Sequence, residues 1–321
     1  DQQALYKPLT KWNTTVDRVD QIPGAVRGAF RAMTTGRPGA AHICLPYDVQ
    51  KDSIDPATVW AQPGHDRFPA MRSAPDPAEI ERAAERLVAA RAPVIICGGG
   101  VVIAGACDAL DGLASLLNAP VCTTVSGQGS LADTHPLNAG VVGANGGVPA
   151  TRAVVAQADL VLFIGCRAGS TTTEHWKFPS RDVPILHLDA DPMAIATNYR
   201  TEVAMVGDAL LGLNLLVEAV RARIGHRTAG ATDGRAIALD ARAQKQAFFA
   251  PLAASLDTPI KPERVVDVLN RLLPARAIVV ADPGTPCPYF SAYFNAPQSG
   301  RHFITNRAHG ALGFSMSAAF G

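Results

Sequence analysis

The strongest constraint on the fold is the alternation of short apolar runs with helix-like segments between residues 76 and 224. Each run is short and mostly apolar, which is typical of strands in a parallel sheet with both faces covered. Apolar residues at helical spacing between the runs predict the covering helices. The predicted strands are residues 93–97, 120–124, 159–164, 185–188 and 203–206, and the predicted helices start at Asp76, pass through 110–117 and span 149–157 and 209–223.

Two partial α/β segments flank this unit. Residues 22–32 read as a helix with Ile22, Val26 and Phe30 on one face, and 41–45 read as a strand. After the unit, residues 262–273 read as a helix with Val265, Val266, Leu269 and Leu272 inward, 277–281 as a strand and 310–321 as the start of a helix. Polar or Pro-rich stretches at 51–75 and 225–261 read as linkers, the second with a helix near 239–249. The predicted domains are 1–50, 76–224 and 262–321, joined by the linkers 51–75 and 225–261.

The predicted fold class is therefore α/β. The central domain is a Rossmann-like parallel sheet with helices on both faces, and partial α/β domains lie on either side of it in the sequence.

Composition excludes several classes of function. Hydrophobic residues make up 48% of the chain and charged residues 18%. These values are typical of a folded domain and not of a disordered chain. Lys plus Arg (29) nearly equals Asp plus Glu (28), so the chain lacks the basic field of a nucleic-acid-binding protein. No apolar run approaches the roughly 20 residues of a membrane span. The six cysteines form no C-x-x-C pair, so reduced thiols and a cytoplasmic location are expected.

A glycine turn follows the first strand of the central domain. Gly98, Gly99 and Gly100 precede a predicted helix, where glycine lets backbone amides approach a phosphate. Ile103 stands where the full dinucleotide fingerprint has its last glycine. A nucleotide site and a plain tight turn both remain open.

Two further strand ends of the central domain carry charged residues. Asp189 and Asp191 could accept hydrogen bonds from ribose or base, or Asp191 could cap the turn at Pro192. Arg167, two residues after Gly165, could face a phosphate or form a surface ion pair.

The strand at 277–281 is followed by Asp282-Pro283-Gly284-Thr285-Pro286-Cys287. Backbone amides and Thr285 would suit a diphosphate there, and a Pro-rich turn is the alternative. Lone histidines such as His42, His135 and His187 are predicted to be structural.

In this order, the motifs resemble the thiamine-diphosphate-dependent enzymes of the acetolactate synthase group. Residues 76–224 resemble the central domain of that family. Residues 262–321 resemble the start of its diphosphate-binding domain and include Gly310-Ala311-Leu312-Gly313-Phe314-Ser315-Met316. The end of its pyrimidine-binding domain is represented by Thr10-Lys11-Trp12-Asn13, Gly36-Arg37-Pro38-Gly39 and Leu45-Pro46-Tyr47-Asp48-Val49.

The resemblance implies two sets of cofactor-binding residues. Thiamine diphosphate would be held at Gly284 and Thr285, Gly310 would meet the aminopyrimidine, and Leu312 would wedge the cofactor into its bent form. FAD or an ADP-like ligand would lie along the central domain. The matching positions are Arg37, Gly98, Gly99, Gly100, Thr124, Gly143, Gly165, Arg167, Asp189 and Asp191.

Departures from the family pattern change the expectation. Residues 168–172 (Ala-Gly-Ser-Thr-Thr) replace the acidic pair and arginine of the synthases, so FAD is expected to bind weakly or not at all. Gly284-Thr285-Pro286 replaces the usual Gly-Gln-His, which affects the substrate. The resemblance places the activating glutamate before residue 1 and the Mg²⁺ motif after residue 321. No catalytic residue or metal ligand is therefore predicted within the chain, which we expect to be part of a longer enzyme.

The resemblance implies decarboxylation of a 2-oxo acid such as pyruvate and transfer of the two-carbon unit to a carbonyl acceptor, by a homodimer or homotetramer. A related decarboxylase, lyase or acetyltransferase is one alternative, since fold does not fix function. A non-catalytic nucleotide-binding module is the other. No nucleic-acid or membrane partner is expected.

Overall fold

The computed structural model describes residues 1–226, 231–307 and 309–321. The chain divides into two compact units, Asp1–Ser73 and Ala74–Gly321.

The first unit pairs two short parallel strands, with Trp12 opposite Ala41, beside a helix. The predicted helix is present. Val26 and Phe30 are exposed, whereas Gly28 and Ala29 are buried. A Cβ atom on Gly28 would lie 3.1 Å from the Trp12 ring, so the small residues let the helix approach the strand. The elements are α1 (Gln2–Tyr6), β1 (Trp12–Thr15), α2 (Ile22–Thr34) and β2 (Ala41–Cys44).

A six-stranded parallel sheet forms the centre of the second unit and confirms the predicted α/β class. The five strands predicted from apolar runs are all present. A sixth strand, of sequence Asn-Ala-Gly-Val, was missed because Asn and Gly are depleted in strands. The strands are β3 (Pro93–Cys97), β4 (Val121–Thr123), β5 (Asn138–Val141), β6 (Leu160–Ile164), β7 (Ile185–Asp189) and β8 (Val203–Val206), in the spatial order β5-β4-β3-β6-β7-β8.

Apolar side chains of alternate strand residues build a core on each face of the sheet. Ile95 packs with Leu110 and Leu213 on one face, and Phe163 packs with Val154 on the other. None of the described helices is both long and apolar enough to cross a membrane. The helices that pack on the two faces of the sheet include α3 (Pro77–Ala89), α4 (Gly99–Ala104), α5 (Cys107–Leu117), α6 (Pro149–Ala156) and α7 (Ala209–Arg223).

The stretch predicted as a second linker contains a helix that belongs to the core. Helix α8 (Gly234–Ala253) is longer than the predicted 239–249 and buries Ala238 and Ala241 against the Phe163 side of the sheet. Asp233 caps it by accepting hydrogen bonds from the amides of Arg235 and Ala236. Residues 227–230 of the predicted linker lie outside the described residues. Most of its buried residues are small (Gly234, Ala238, Ala241 and Ala253, beside Phe249), which is why the segment was predicted to be a linker.

The C-terminal segment holds a parallel pair of two-residue strands. The predicted helix is present, but Val266 is buried while Val265 and Leu272 are exposed, which corrects the expected inward face. The helix after Thr285 was not predicted, because its two prolines suggested a turn. The elements are α9 (Pro262–Leu272), β9 (Val279–Val280), α10 (Pro286–Tyr293), β10 (Phe303–Ile304) and α11 (Phe314–Phe320), the last starting later than the expected residue 310.

Two loops link this segment to the sheet through backbone hydrogen bonds. The Gly300 amide donates to the Gly129 carbonyl oxygen over 2.8 Å, and the Asp133 amide donates to that of Ala296 over 3.0 Å. In return, the Ala296 amide donates to the Asp133 carboxylate over 2.7 Å. Burial raises the pKa of Asp133, while the Ala296 amide and the Lys245 charge act in the opposite direction. Asp133 therefore holds the loop between α10 and β10 against the central domain.

Replacing Asp133 with alanine should lower the free energy of unfolding by about 1.5–3 kcal/mol, the usual value of hydrogen bonds to a charged group. Amide exchange at Ala296 should accelerate, because its acceptor is lost. Chemical denaturation and hydrogen exchange measure the two effects.

The matched control is Asp240→Ala, at an exposed carboxylate that accepts a hydrogen bond from Gln244 four residues away. Surface substitutions of this kind usually change stability by less than about 0.5 kcal/mol. Equal effects of the two variants would contradict the role assigned to Asp133.

Candidate functional site

The carboxyl ends of the six parallel strands place most of the predicted groove residues at one edge of the sheet. The chain enters the sheet at β3, adds β4 and β5 on one side, and then crosses to β6, β7 and β8 on the other. The loops after β3 and β6 therefore lie side by side at the centre of this edge, where the direction of strand addition reverses. In open α/β sheets, such a switch point is where ligands bind.

The glycine loops after β3 and β6 are in direct contact. A Cβ atom on Gly98 would lie 2.1 Å from the Gly165 carbonyl oxygen, and one on Gly100 would lie 2.6 Å from Gly165 Cα. The Gly98 amide donates to the Ile164 carbonyl oxygen over 2.8 Å, and the Gly100 amide donates to that of Gly165 over 3.1 Å. Loop-to-loop packing thus accounts for Gly98 and Gly100 and engages the amides of both. The tight turn at Gly98–Gly100 is therefore present, and nucleotide binding there remains a prediction.

Thr124 and Gly143 follow β4 and β5 on one side of the switch point. The buried Thr124 hydroxyl accepts a hydrogen bond from the Gly127 amide over 3.1 Å. Gly143 has φ +96°, and a Cβ atom there would lie 2.3 Å from the Thr171 carbonyl oxygen. That carbonyl accepts a hydrogen bond from Ala144 over 2.8 Å. Both positions shape the edge, and Thr171 is held close to Gly143.

On the other side of the switch point, Asp189 is the last residue of β7 and Asp191 follows the strand. The Asp189 carboxylate accepts from the Asp191 amide over 2.8 Å, and the Asp191 carboxylate accepts from the Met193 amide over 3.0 Å. The capping alternative for Asp191, at the turn that contains Pro192, is therefore realised. Contact with a ribose or base remains a prediction.

Arg167 is exposed beside the switch point. Its backbone carbonyl accepts from Asn198 over 2.9 Å. Among the described residues its guanidinium forms no ion pair, so the surface-pair alternative has no support. Arg37, the other predicted cationic contact, belongs to the first unit, where its carbonyl accepts from Lys11 over 2.9 Å.

His187 anchors the loop that carries Arg167. Its Nε2 lies 2.8 Å from the Cys166 carbonyl oxygen, so the neutral ring must carry its hydrogen on Nε2. Burial lowers the pKa of His187 to about 4. The structural role predicted for this histidine agrees with that contact.

Burial also suppresses thiol chemistry at the sheet. It raises the pKa of Cys122 and of Cys166 to about 12, and raises that of Cys97 well above its usual value. All six cysteines are free thiols. Among the described residues, no three His, Cys, Asp or Glu side chains are grouped as a metal site requires.

The predicted thiamine diphosphate positions are brought together in the C-terminal segment. A Cβ atom on Gly284 would lie 3.1 Å from Leu312 Cδ2, although 28 positions separate the two residues in the sequence. Leu312 is 73% exposed, so an apolar side chain projects beside a glycine turn. Gly310 has φ +65°, and Thr285 begins α10 without a side-chain cap. These residues fit a cofactor that needs a backbone turn for its phosphates and an apolar wedge.

Asp282 is the residue of this region that sequence reasoning missed. Its two carboxylate oxygens accept from the amides of Gly313 (2.7 Å) and Ser315 (2.8 Å), and these hydrogen bonds lower its pKa. The carboxylate thereby ties the end of β9 to the start of α11. An aspartate directly after a predicted strand was the available signal, but its partners lie more than 30 residues further along the chain.

Comparison with known proteins identifies this architecture. Residues 80–216 match the family model of the thiamine pyrophosphate enzyme central domain. The sheet domain is therefore similar to the central domain of the thiamine-diphosphate-dependent enzymes, and the resemblance found in the sequence is confirmed.

The whole chain is also similar to several named enzymes. It is 34% identical to a probable acetolactate synthase large subunit of Methanocaldococcus jannaschii, covering 54% of that protein. It is 30% identical to glyoxylate carboligase of Escherichia coli O157:H7, covering 53%. It is 31% identical to a probable 2-ketoarginine decarboxylase of Pseudomonas aeruginosa, covering 54%. The chain thus spans about half the length of the curated relatives it matches.

Gly98→Ala should destabilise the protein by about 2 kcal/mol or more, because a methyl group would overlap the Gly165 carbonyl. The Gly98 φ of −99° is accessible to alanine, so the cost is steric. Urea denaturation measures the change.

The control for this variant is Gly169→Ala, where no atom lies within 4 Å of the added carbon. Its stability should change by less than about 0.5 kcal/mol, as is usual for a substitution that meets no neighbour. Equal stabilities of Gly98→Ala and Gly169→Ala would contradict the close packing of the loops after β3 and β6.

His187 should make stability fall as pH decreases. The pKa of His187 in the folded protein is depressed to about 4. Below about pH 6.5 the unfolded chain therefore binds a proton that the folded chain does not. The stabilisation that the neutral ring provides is lost progressively between about pH 6.5 and about pH 4. From about pH 7 to about pH 5 the loss should be about 2 kcal/mol. His187→Gln keeps an amide donor without titrating, and should remove this part of the pH dependence in denaturation curves.

His309→Gln, at an exposed ring, is the control and should leave that pH dependence intact. Parallel curves of stability against pH for the wild type and His187→Gln would refute the assignment.

Proposed function

We propose that the protein carrying this chain is a thiamine-diphosphate-dependent enzyme that decarboxylates a 2-oxo acid such as pyruvate. It then joins the remaining two-carbon unit to a carbonyl acceptor, as the names of the acetolactate synthase and glyoxylate carboligase relatives suggest. The observation that carries the proposal is the adjacency of Gly284 and Leu312, held by Asp282, in a chain that aligns with those relatives over its whole length.

The bound cofactor would supply the electron sink for loss of carbon dioxide. In this chain, Gly284 and Thr285 would hold its diphosphate through the backbone turn. Gly310 would meet the aminopyrimidine, and Leu312 would press against the rings. Leucine suits that role because it fills space without offering a competing hydrogen bond.

A related decarboxylase is the second candidate, supported by the 2-ketoarginine decarboxylase relative. A lyase or acetyltransferase of the same architecture would use the same cofactor residues. Mg²⁺ would be the companion ion, with ligands outside this chain. A cytoplasmic homodimer or homotetramer remains part of the proposal. A non-catalytic nucleotide-binding module is the alternative from another class.

A flavin is not required by the proposal. The Gly98–Gly100 amides are largely engaged within the protein, and residues 168–172 carry no charge. We therefore propose a central groove that binds FAD weakly or not at all, with an ADP-like ligand as the alternative.

The full-length protein, supplied with thiamine diphosphate and Mg²⁺, should consume pyruvate and release carbon dioxide. Acetolactate as the product supports the synthase, and acetaldehyde supports a decarboxylase. Leu312→Ala should lower kcat at least about tenfold, whereas Leu239→Ala, at an exposed residue of α8, should not. Turnover of no 2-oxo acid, with no cofactor binding by calorimetry, would refute the proposal.

The flavin is tested separately by the absorption spectrum of the full-length protein after FAD addition and desalting. We expect no retained flavin, because the amides and charges that would hold it are missing or engaged. A retained stoichiometric yellow chromophore would refute weak binding.

A further inference from the structure

An arginine between the C-terminal segment and the central sheet lacks an acidic partner. Arg307 Nη2 donates a hydrogen bond to Thr171 Oγ1 over 3.2 Å. Its Nε is buried and has no hydrogen-bond partner among the described residues, and within that part of the chain no carboxylate forms an ion pair with it. A buried donor of a charged group is costly when left unpaired. The arrangement therefore indicates a partner that the described chain does not supply.

The neighbours of Arg307 share this property. Thr305 Oγ1 and Asn306 Oδ1 are also buried without hydrogen-bond partners. Three consecutive residues after β10 thus present polar atoms that no described protein group satisfies. Ordinary core positions pair such atoms, so this cluster is suited to a polar ligand.

The cluster lies at a fixed place relative to the cofactor positions. Strand β10 pairs with β9, whose end carries Asp282 and Gly284. The Gly310 amide donates to the Asn306 carbonyl oxygen over 3.3 Å. On its other side, Arg307 reaches Thr171, whose own carbonyl is fixed by the Ala144 amide. Arg307 is therefore held between the loop that leads to Gly310 and the loop after β6.

Guanidinium chemistry indicates the class of ligand. The planar fork of arginine matches a carboxylate through two parallel hydrogen bonds, and such charge-assisted bonds are among the strongest in proteins. Thr171 accepts a hydrogen bond from one donor of this fork. We propose that Arg307, positioned by Thr171, binds a carboxylate of the substrate and so selects anionic substrates. This inference rests on the proposed function.

Two carboxylates could occupy this position. The donor acid loses its carboxylate as carbon dioxide when the bond to the carbonyl carbon breaks. An acceptor 2-oxo acid keeps its carboxylate while its carbonyl carbon forms the new bond and its oxygen takes a proton. Arg307 would bind the carboxylate of the donor acid and that of the acceptor acid in the same way. Comparing acceptors with and without a carboxylate distinguishes the two cases.

The test uses the full-length protein loaded with thiamine diphosphate and Mg²⁺. Calorimetry measures binding of oxamate, an unreactive carboxylate of pyruvate's shape, and of its neutral analogue oxamide. Arg307→Met should weaken oxamate binding at least about tenfold and leave oxamide unchanged. Arg307→Lys should give an intermediate loss, since it keeps the charge without the fork. Arg301→Met, at an exposed arginine of the same segment, is the matched control and should bind both as the wild type does.

Turnover identifies the source of the carboxylate. A raised KM for pyruvate with acetaldehyde as acceptor assigns Arg307 to the donor. A raised KM only when pyruvate is also the acceptor assigns Arg307 to the acceptor. Thr171→Val should weaken oxamate binding several-fold with no effect on oxamide, which a purely structural role would not produce.

Several results would overturn the inference. One is unchanged oxamate affinity in a cofactor-loaded Arg307→Met enzyme that still turns over pyruvate, which leaves the proposed function standing. Another is loss of thiamine diphosphate binding in that variant, which would assign the arginine to a phosphate. By contrast, Arg307-dependent oxamate binding in a protein that neither binds thiamine diphosphate nor turns over a 2-oxo acid would support the site and refute the proposed function.

Discussion

The arrangement of the second unit depends on the close approach of the loops after β3 and β6. Gly98, Gly100 and Gly165 meet through backbone atoms alone, and a single added carbon on any of them would overlap the opposite loop. This contact closes the centre of the sheet's carboxyl edge, where the chain reverses its direction of strand addition. It fixes where β6 ends, and thereby where the segment with Arg167 and Thr171 begins.

The same contact gives a structural role to a glycine-rich turn that resembles a dinucleotide site. Phosphate binding needs free amides at a helix start. Here the amides of Gly98 and Gly100 are hydrogen-bonded to carbonyl oxygens of β6 and its loop. The fold has the parallel sheet and switch point typical of a nucleotide-binding domain, and the amides of Gly98 and Gly100 join its two central loops.

The parts of the fold that the sequence predicted are those in which local pattern and burial agree. The buried apolar strands around Ile95 and Phe163 were predicted because every residue in them is apolar. Strand β5 and the buried face of α8 were not, because Gly140 and the alanines of α8 carry no apolar signal and are buried only through tertiary contact. Exposed Val265 shows the opposite error, since helical periodicity alone does not say which side a partner covers.

At the candidate site, the sequence indicated single positions but not the pairs they form. Gly284 and Leu312 were identified separately by resemblance, and the structure makes them neighbours. Asp282 and Arg307 were not identified, because their partners Gly313 and Thr171 are 31 and 136 positions away. A carboxylate that accepts two backbone amides orders the loop without contributing chemistry of its own. An arginine held by one neutral hydroxyl keeps its charge available to a ligand. Because of this difference in partners, Asp282 organises the site, whereas Arg307 is suited to select the substrate.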